Sequence, residues 1–308
     1  MVNQFQKIMK ARILSLAIVL WLPLIAIAED KTQHGSEIGN IQLLEIQARS
    51  GDVKTQVRLG AMYRDGLGVT RNSQKAFYWF LQAAKKNNVP AQLRVAKMLK
   101  QGIGTNKDHQ SAFVWFSRAA KSGNADALTN LGQMLQSGTG TPINLKQAFN
   151  SYMLAAQQNQ SEAQFNVAQM LFKGMGVHRD ESEAIKWYEH SASNGNVDAQ
   201  NSLGTLYLKG DTIPKNIDRG LELIVNAASK GHPAAFHNLG LIYQLGLGVP
   251  RVDVYAYLWF AVAAQSGHRS AERFKEGLAL SMNADDISRA ETLAAACKQK
   301  DFKKCISF

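Results

Sequence analysis

Five pairs of glycines, each pair separated by one residue, are the feature of this sequence that most resembles a chemical site. They are Gly66/Gly68, Gly102/Gly104, Gly138/Gly140, Gly174/Gly176 and Gly246/Gly248. A glycine-rich loop binds phosphate when it lies between a strand and a helix and ends in Lys-Ser or Lys-Thr. None of these five stretches has that ending. The glycine pairs therefore indicate turns between helices, and no nucleotide cofactor is expected.

Other residue patterns that support catalysis or metal binding are also not found in the sequence. It contains no Gly-x-Ser-x-Gly, Ser-x-x-Lys or His-Glu-x-x-His motif. His232 and His268 stand 36 residues apart, which indicates equivalent turns of a repeat. A metal site is disfavoured there because such sites use three or four ligands. The sequence thus predicts no enzymatic activity, no metal and no cofactor.

The glycine pairs belong to a repeat of 36 residues that continues without insertion or deletion. Counting from Thr55 as position 1, six units follow one another over residues 55–270. Small or apolar residues recur at positions 1, 5, 6 and 9, which form one face of a helix. Position 5, for example, holds Leu59, Val95, Leu131, Val167, Leu203 and Leu239. A repeat of this length indicates a solenoid.

Each unit is predicted to contain two helices with defined ends. Residues that can cap the second helix at its N-terminus follow the glycines: Asn72, Asp108, Asn144, Asp180 and Asn216. Residues that tolerate a left-handed backbone follow its C-terminus: Asn87, Gly123, Asn159, Gly195, Gly231 and Gly267. The second helix carries tryptophan at one shared position, which predicts a core role rather than a carbohydrate-binding surface: Trp79, Trp115, Trp187 and Trp259.

The unit from Ala163 to Asp198, AQFNVAQMLFKGMGVHRDESEAIKWYEHSASNGNVD, resembles the SLR (Sel-one-like repeat) family, which is related to the tetratricopeptide repeats. The resemblance covers residues 55–270. It implies an all-α fold, an α/α solenoid in which helix-turn-helix repeats form a right-handed superhelix. It also implies a non-enzymatic scaffold that binds other proteins. Ser151 and Leu223 replace the tryptophan in the third and fifth units, so we expect looser packing there.

The N-terminus has the features of a secretory signal peptide over residues 1–28. Lys7, Lys10 and Arg12 precede an uncharged, mostly apolar stretch that ends in Ala26-Ile27-Ala28. Pro23 interrupts this stretch, which is also shorter than the roughly 20 residues of a spanning helix. We therefore disfavour a membrane anchor and expect a periplasmic or, alternatively, a secreted protein with no integral membrane segment after cleavage.

Both ends of the repeat array are expected to be capped, because an end unit otherwise leaves its apolar face uncovered. Residues 29–40 are expected to form a flexible lead and residues 41–54 a capping helix. Capping helices are also expected over residues 271–308, the last of them beginning at Asn283. Cys297 and Cys305 are predicted to form a disulfide, because an exported chain meets an oxidising compartment. A catalytic thiol pair and a metal site remain alternatives that the spacing does not favour.

The side chains at positions 3, 7 and 10 of the first helix vary between units and form a candidate binding stripe. In tetratricopeptide arrays the corresponding stripe lines the concave groove, so the resemblance implies a partner-binding groove. Its candidate residues are Arg64, Leu93, Lys97, Lys100, Gln133, Gln136, Phe165, Gln169, Phe172, Leu208, His237, Leu241 and Gln244. The stripe has no Asp or Glu; it is basic in the first units, amide-rich in the middle and apolar in the last.

Such a stripe suits an extended or helical protein segment with acidic groups at one end. Phe165 and Phe172 could anchor this segment, since large apolar residues often dominate affinity. Alternatively, both rings pack against neighbouring helices. The formal net charge is +11, and removal of residues 1–28, with three basic and no acidic residues, leaves +8. This charge also favours acidic partners, unless the basic side chains are merely solvated.

The sequence therefore predicts a protein-interaction scaffold or adaptor of the bacterial envelope, acting as a regulator or assembly factor. We expect a monomer whose partner is an envelope or secreted protein and not nucleic acid. Two alternatives stay open. One is a cell-wall or β-lactam hydrolase of the cysteine-rich repeat type, and the other is a direct binder of peptidoglycan or anionic lipid.

Overall fold

The computed structural model describes residues 41–299, which form fifteen helices and no strand. The helices are α1 (residues 41–49), α2 (Val53–Asp65), α3 (Ser73–Lys85), α4 (Val89–Gln101), α5 (His109–Lys121), α6 (Ala125–Ser137), α7 (Leu145–Ala156), α8 (Ser161–Lys173), α9 (Glu181–Ser193), α10 (Val197–Lys209), α11 (Ile217–Ser229), α12 (Pro233–Leu245), α13 (Asp253–Gln265), α14 (Ala271–Ala279) and α15 (Ala284–Gln299). The predicted signal peptide at 1–28 and the lead at 29–40 lie outside the described residues.

The chain forms two compact units, each spanning more than one of the 36-residue repeats, that divide after Ala119. We call these two parts of the chain the first unit and the second unit. In the first unit, α2 packs against α3 and α3 against α4. In the second unit, each helix from α6 to α13 packs against the next, and α13 also contacts α14 and α15. Within each unit the helix pairs therefore stack in chain order, which is the arrangement of an all-α solenoid.

The predicted caps of the second helices are confirmed. Asn72 Oδ1 accepts a hydrogen bond from the backbone N–H of Lys75 at 2.9 Å, and the other four predicted residues make the same bond three residues ahead. Five of the six first helices are also capped, by residues that were not predicted: Asp52, Asn88, Asn124, Asn196 and His232. These bonds satisfy N–H groups that a helix start otherwise leaves without partners. Gln160, which precedes α8, makes no such bond.

The glycines act as helix ends and as close crossings. Gly66 ends α2 with φ 76°, a left-handed conformation that a residue with a side chain rarely adopts. Asn87 and Asn159 adopt the same conformation after α3 and α7, as predicted, with φ of 61° and 62°. A Cβ atom at Gly104 would overlap the carbonyl oxygen of Ser73, so this glycine lets its loop cross the start of α3.

Three of the glycines at position 6 face an aromatic ring, whereas Gly204 in the fifth repeat faces Ile224. A Cβ atom at Gly60 would lie 2.7 Å from the Phe80 ring, and one at Gly132 would lie 2.7 Å from the Tyr152 ring. Phe80 is 2% exposed and Tyr152 is fully buried. Of the four repeat tryptophans, Trp79 and Trp259 are buried as predicted, whereas Trp115 and Trp187 are only partly buried.

The described ends of the array continue the pattern of the repeats. Gly51 follows α1 with φ 103°, as Asn87 follows α3 with a positive φ. Asn283 caps α15 as predicted, accepting a hydrogen bond from the N–H of Asp286 at 2.8 Å. Cys297 is buried against α13 and its neighbours. Cys305 lies outside the described residues, so its pairing with Cys297 stays a prediction. Among residues 41–299, no helix is both long and apolar enough to cross a membrane.

Candidate functional site

In the first compact unit, the structure brings two of the predicted stripe residues together at one cleft of ≈ 500 Å³. They are Arg64 of the first repeat and Lys97 of the second. We call it the basic cleft. It is lined by residues of α2, α3, α4 and their loops: Arg64, Asp65, Arg71, Ser73, Ala76, Phe80, Arg94, Lys97, Met98, Gln101 and Ile103. The predicted residues Leu93 and Lys100 are half-buried on α4 and do not line it.

Local backbone geometry places the cleft residues that come from loops. The loop after α2 turns at Gly66 and closes through a hydrogen bond of 2.8 Å from the N–H of Asn72 to the carbonyl oxygen of Tyr63. This closure brings Arg71 back beside the end of α2, where its Cβ lies 3.5 Å from a Cβ built on Gly66. Ile103 reaches the cleft because its neighbour Gly104 crosses closely over Ser73.

Positive charge dominates the basic cleft, which contains four cationic side chains and one carboxylate. Arg64 donates two hydrogen bonds to Asp65, at 2.7 and 2.5 Å. These bonds hold the pKa of the Asp65 carboxyl below its ordinary value, and the charges of Arg94 and Arg71 lower it further. The electrostatic influence of the three arginines therefore converges on one carboxylate at the edge of the cleft.

The floor of the basic cleft is apolar and belongs to the core of the repeat. Ala76 is fully buried, Phe80 is 2% exposed and Met98 is 8% exposed, whereas Ile103 is 44% exposed. Neither Arg71 nor Arg94 was predicted from the sequence. Arg94 lies at position 4, next to the stripe, and Arg58 occupies the same position one repeat earlier. Comparing charges at that position could have indicated it.

In the second unit, the predicted amide stripe is partly engaged by the protein itself. Gln133 Nε2 donates a hydrogen bond to Glu162 Oε1 at 2.6 Å, and Gln136 Oε1 accepts one from the Tyr152 hydroxyl at 2.9 Å. These two amides already have hydrogen-bonding partners within the unit. Gln169 and Gln244 are half-buried on α8 and α12.

The apolar stripe residues of the second unit pack against its core. Phe165 and Phe172 contact the ring of Tyr188, with centroids 5.9 and 6.4 Å apart. Leu208 and Leu241 are likewise partly buried against a core cluster. Both phenylalanines therefore pack on α9, as the alternative expects, and both residues are half-buried. Their role in binding a partner stays a prediction.

His237 does not take the open position expected of a groove residue. It is only 9% exposed, it stacks on His268 with ring centroids 4.4 Å apart, and it meets the Phe274 ring edge-on at 4.8 Å. Burial, and then the neighbouring His268, lower the pKa of His237 to about 4. Its Nε2 atom is buried and makes no hydrogen bond. The helix that follows α13 covers this side chain, which the spacing within one helix does not reveal.

The two histidines at equivalent turns have different roles. His232 caps α12 by accepting a hydrogen bond at Nδ1 from the N–H of Ala235, at 3.2 Å, and its Nε2 lies 3.0 Å from Asp198. His268 instead stacks on His237. Over the described part of the chain, no group of three His, Cys, Asp or Glu side chains is arranged to hold a metal ion.

A second cleft, of ≈ 380 Å³, lies between α9, α10 and α11 of the second unit. It contains Leu223, which stands where four other units have tryptophan. It also contains Ser193 and His190, a pair that could suggest hydrolysis. However, Ser193 Oγ donates to the carbonyl oxygen of His190 at 2.8 Å, and no hydrogen bond joins it to the imidazole.

Comparisons with known proteins agree with this architecture. A Sel1 repeat protein from Oxalobacter formigenes is 31% identical, covers 70% of this chain and 89% of its own, and superposes with a TM-score of 0.65. A protective antigen of uropathogenic Escherichia coli that displays an SLR fold is 28% identical, with a TM-score of 0.62. That match covers 86% of this chain and 65% of the antigen. No curated protein matches this sequence.

The Sel1 repeat model matches six consecutive segments of the chain: 53–88, 89–124, 125–159, 161–196, 197–232 and 233–268. These segments begin two residues before the units counted from Thr55, at the start of each first helix. Since they cover well over half of the sequence, the chain belongs to the Sel1 repeat family.

Proposed function

We propose that this protein is a non-enzymatic scaffold of the bacterial envelope that binds a segment of another protein on the faces of its first helices. Sel1 repeats generally mediate protein–protein interactions. The observation that carries the proposal is the contrast between two sets of positions on the first helices, the buried positions that recur in every repeat and the stripe positions that vary. Positions 1, 5 and 6 are alike and mostly buried in every unit, whereas positions 3, 7 and 10 differ in chemistry and are mostly half-buried.

Half-buried side chains on regular helices suit recognition. Their stems are held by packing, so little side-chain entropy is lost when a partner binds. Their outer atoms remain accessible, and their variation along the chain gives the surface a specific chemical order. A purely structural surface would not need this order, because repeat stability depends on the frame and on contacts between neighbouring units.

Export to the envelope is supported by the sequence over residues 1–28, which has a basic start, an apolar centre and the small-residue pattern of a cleavage site. The related protein from uropathogenic Escherichia coli is a protective antigen, which agrees with an exported location. We therefore place the partner among envelope or secreted proteins. No observation on the described residues favours the hydrolase alternative.

Site-specific photocrosslinking in living cells tests the scaffold role. A photoreactive residue is placed at Gln169 or Gln244, which lie on the stripe. Matched controls carry it at Asn150 or Lys186, which are exposed on second helices of the same unit. We expect a discrete crosslinked product at the stripe positions and none at the controls. The same products at all four positions, or none at the stripe, would argue against the proposal.

The envelope location has a separate test. N-terminal sequencing of the protein purified from its native cells is expected to begin at Glu29, with the protein in the periplasmic or culture fraction. An intact N-terminus in the cytoplasmic fraction would remove the envelope from the proposal. It would leave the scaffold role to be decided by the crosslinks.

A further inference from the structure

We infer that the basic cleft of the first unit is the docking site for an acidic protein segment that carries an apolar side chain between its carboxylates. This inference rests on the proposed function and specifies the chemistry of the partner. It combines two features of the cleft that belong to different elements, a cationic rim and an apolar floor.

The rim supplies the charge. Arg94 and Lys97 lie three residues apart on α4, so they point to the same side of that helix. Arg71 approaches from the loop after α2, and Arg64 stands at the end of α2. The guanidinium group presents a planar fork of donors that matches a carboxylate, which makes three arginines at one cleft well suited to binding Asp or Glu.

Asp65 shows how this rim acts on a carboxylate. Its pKa lies below the ordinary value, first because of Arg64 and then because of the charges of Arg94 and Arg71. The ionised carboxylate is thus the favoured form in this environment. Asp65 is the only acid in the lining, and the cations that surround it outnumber it. A bound segment with further carboxylates would interact favourably with Arg71 and Arg94 at the rim.

The floor supplies the reason for an apolar side chain in the partner. The apolar side chain that the cleft offers to a partner is Ile103, which leaves 44% of its surface exposed, and the buried residues Phe80, Met98 and Ala76 lie beneath it. A cleft of ≈ 500 Å³ has room for a large side chain with its flanking residues. Burial of such a side chain would give the site selectivity that exposed charges alone do not provide, because exposed ion pairs contribute little and are screened by salt.

These features favour a protein segment over an anionic lipid or polymer. A lipid headgroup or a cell-wall polymer would be attracted by the rim, but it would present no side chain to the floor. Sel1 repeats, moreover, generally bind proteins. The partner class we commit to is therefore an acidic peptide with a central apolar residue, and anionic lipid becomes an outcome of the experiment.

The experiment measures the affinity of the purified full-length protein for a fluorescent nine-residue peptide, with Glu and Asp on both sides of a central Leu, by fluorescence anisotropy. The repeat offers matched controls. Arg94→Glu changes the rim, whereas Arg58→Glu makes the same change 36 residues earlier, outside the cleft. Ile103→Ser removes the exposed apolar side chain of the cleft. Leu67→Ser makes the same kind of change at the equivalent exposed position one repeat earlier, outside the cleft. All four positions are exposed, and helical content is checked by circular dichroism.

We expect Arg94→Glu to weaken binding at least tenfold and Ile103→Ser to weaken it several-fold, with less than a twofold effect from each control. Replacing the central Leu of the peptide with Ser should also weaken binding several-fold. Equal effects of Arg94→Glu and Arg58→Glu, or no peptide binding, would overturn the inference. Binding of phosphatidylglycerol vesicles without binding of the peptide would also overturn it. Crosslinks at Gln169 and Gln244 are independent of this cleft, so they separate a failure here from a failure of the scaffold role.

Discussion

Gln56 donates a hydrogen bond from Nε2 to the carbonyl oxygen of Ala48, 2.8 Å away. The same bond recurs between a buried glutamine at position 2 and the residue eight positions earlier in three further repeats: Gln92 to Ala84, Gln164 to Ala156 and Gln200 to Ala192. Each bond ties a first helix to the second helix before it. Because Ala48 lies in α1, this helix is held in the same way as the second helices, although it precedes the six matched repeats.

The glutamines are not equally important for stability, because their second amide atom differs in its surroundings. Gln56 Oε1 is buried and makes no hydrogen bond, whereas Gln164 Oε1 accepts one from Asn194 Nδ2 at 2.9 Å. Leu128 occupies the equivalent position in the third repeat. We therefore expect Gln56→Leu to change the free energy of unfolding by less than about 1 kcal/mol, since it removes an unsatisfied polar atom together with one bond.

The Gln164–Asn194 bond is expected to appear as a coupling free energy of about 0.5–1 kcal/mol in a double-mutant cycle of Gln164→Leu and Asn194→Ala. Both quantities come from urea unfolding followed by circular dichroism. A coupling near zero would mean that this bond exchanges freely with water. A loss of several kcal/mol of unfolding free energy for Gln56→Leu would contradict the small effect predicted for that change.

Two glycine-to-alanine changes should have opposite effects. At Gly60 a Cβ atom would meet the Phe80 ring at 2.7 Å, so Gly60→Ala should cost about 1–2 kcal/mol of stability despite its better helix propensity. At Gly277, inside α14, nothing lies within 4 Å of the added atom. Gly277→Ala should therefore stabilise by about 0.5–1 kcal/mol. Thermal unfolding measures both, and a stabilising Gly60→Ala would show that the ring moves aside.

Stability should fall on mild acidification because of His237. Its pKa is about 4 in the folded protein, below the ordinary value of 6.5. The unfolded chain therefore binds more protons between these two pH values, so stability is fully present above pH 6.5 and decreases as the pH falls to about 4. The loss from this group is up to about 3 kcal/mol. The pKa of His268 is also lowered, which adds in the same direction.

His237→Phe tests this effect with a residue that the repeat already uses, since Phe165 stands at the equivalent position. The variant should unfold with a flatter dependence of the urea midpoint on pH between 7 and 4 than the unaltered protein. His178→Gln removes an exposed histidine instead and should leave the slope unchanged. Equal slopes for all three proteins would show that His237 does not set the acid sensitivity.

The fifth repeat should accept the tryptophan that it lacks. Leu223 lines the cleft of ≈ 380 Å³ between α9, α10 and α11, at the position that Trp79 occupies in the first repeat. Leu223→Trp is expected to fill part of this space and to stabilise the protein by about 0.5–2 kcal/mol. Ile224→Trp is the matched control, because Ile224 is fully buried and does not line this cleft, so overpacking there should cost about 1–3 kcal/mol. Destabilisation by both changes in thermal unfolding would contradict the prediction.

Most of the frame could be predicted from the sequence because it depends on local backbone chemistry. Asn72 caps a helix wherever its side chain reaches the N–H three residues ahead, and Asn87 takes a left-handed conformation within its own turn. The periodicity of 36 then places the caps Asp108, Asn144, Asp180 and Asn216 by counting, whereas Val252 in the sixth repeat makes no side-chain cap. The residues of the candidate site were predicted only in part, because they come from different helices and loops. Of the residues in the basic cleft, Arg64 and Lys97 were predicted from their position on the stripe, whereas Arg71 and Arg94 were not.

The sequence by itself determined the all-α repeat and the ends of its second helices, since both follow from spacings within one or two repeats. The match of the Sel1 repeat model to this sequence determined its family. Only the tertiary structure decided which side chains meet across different helices. In the tertiary structure, Phe165 and Phe172 pack on Tyr188, and His237 is buried against Phe274. Arg71 of a loop and Arg94 of a helix line the same cleft. Helix periodicity fixes the face on which a side chain lies, but the neighbouring helix and its loop determine what that face meets.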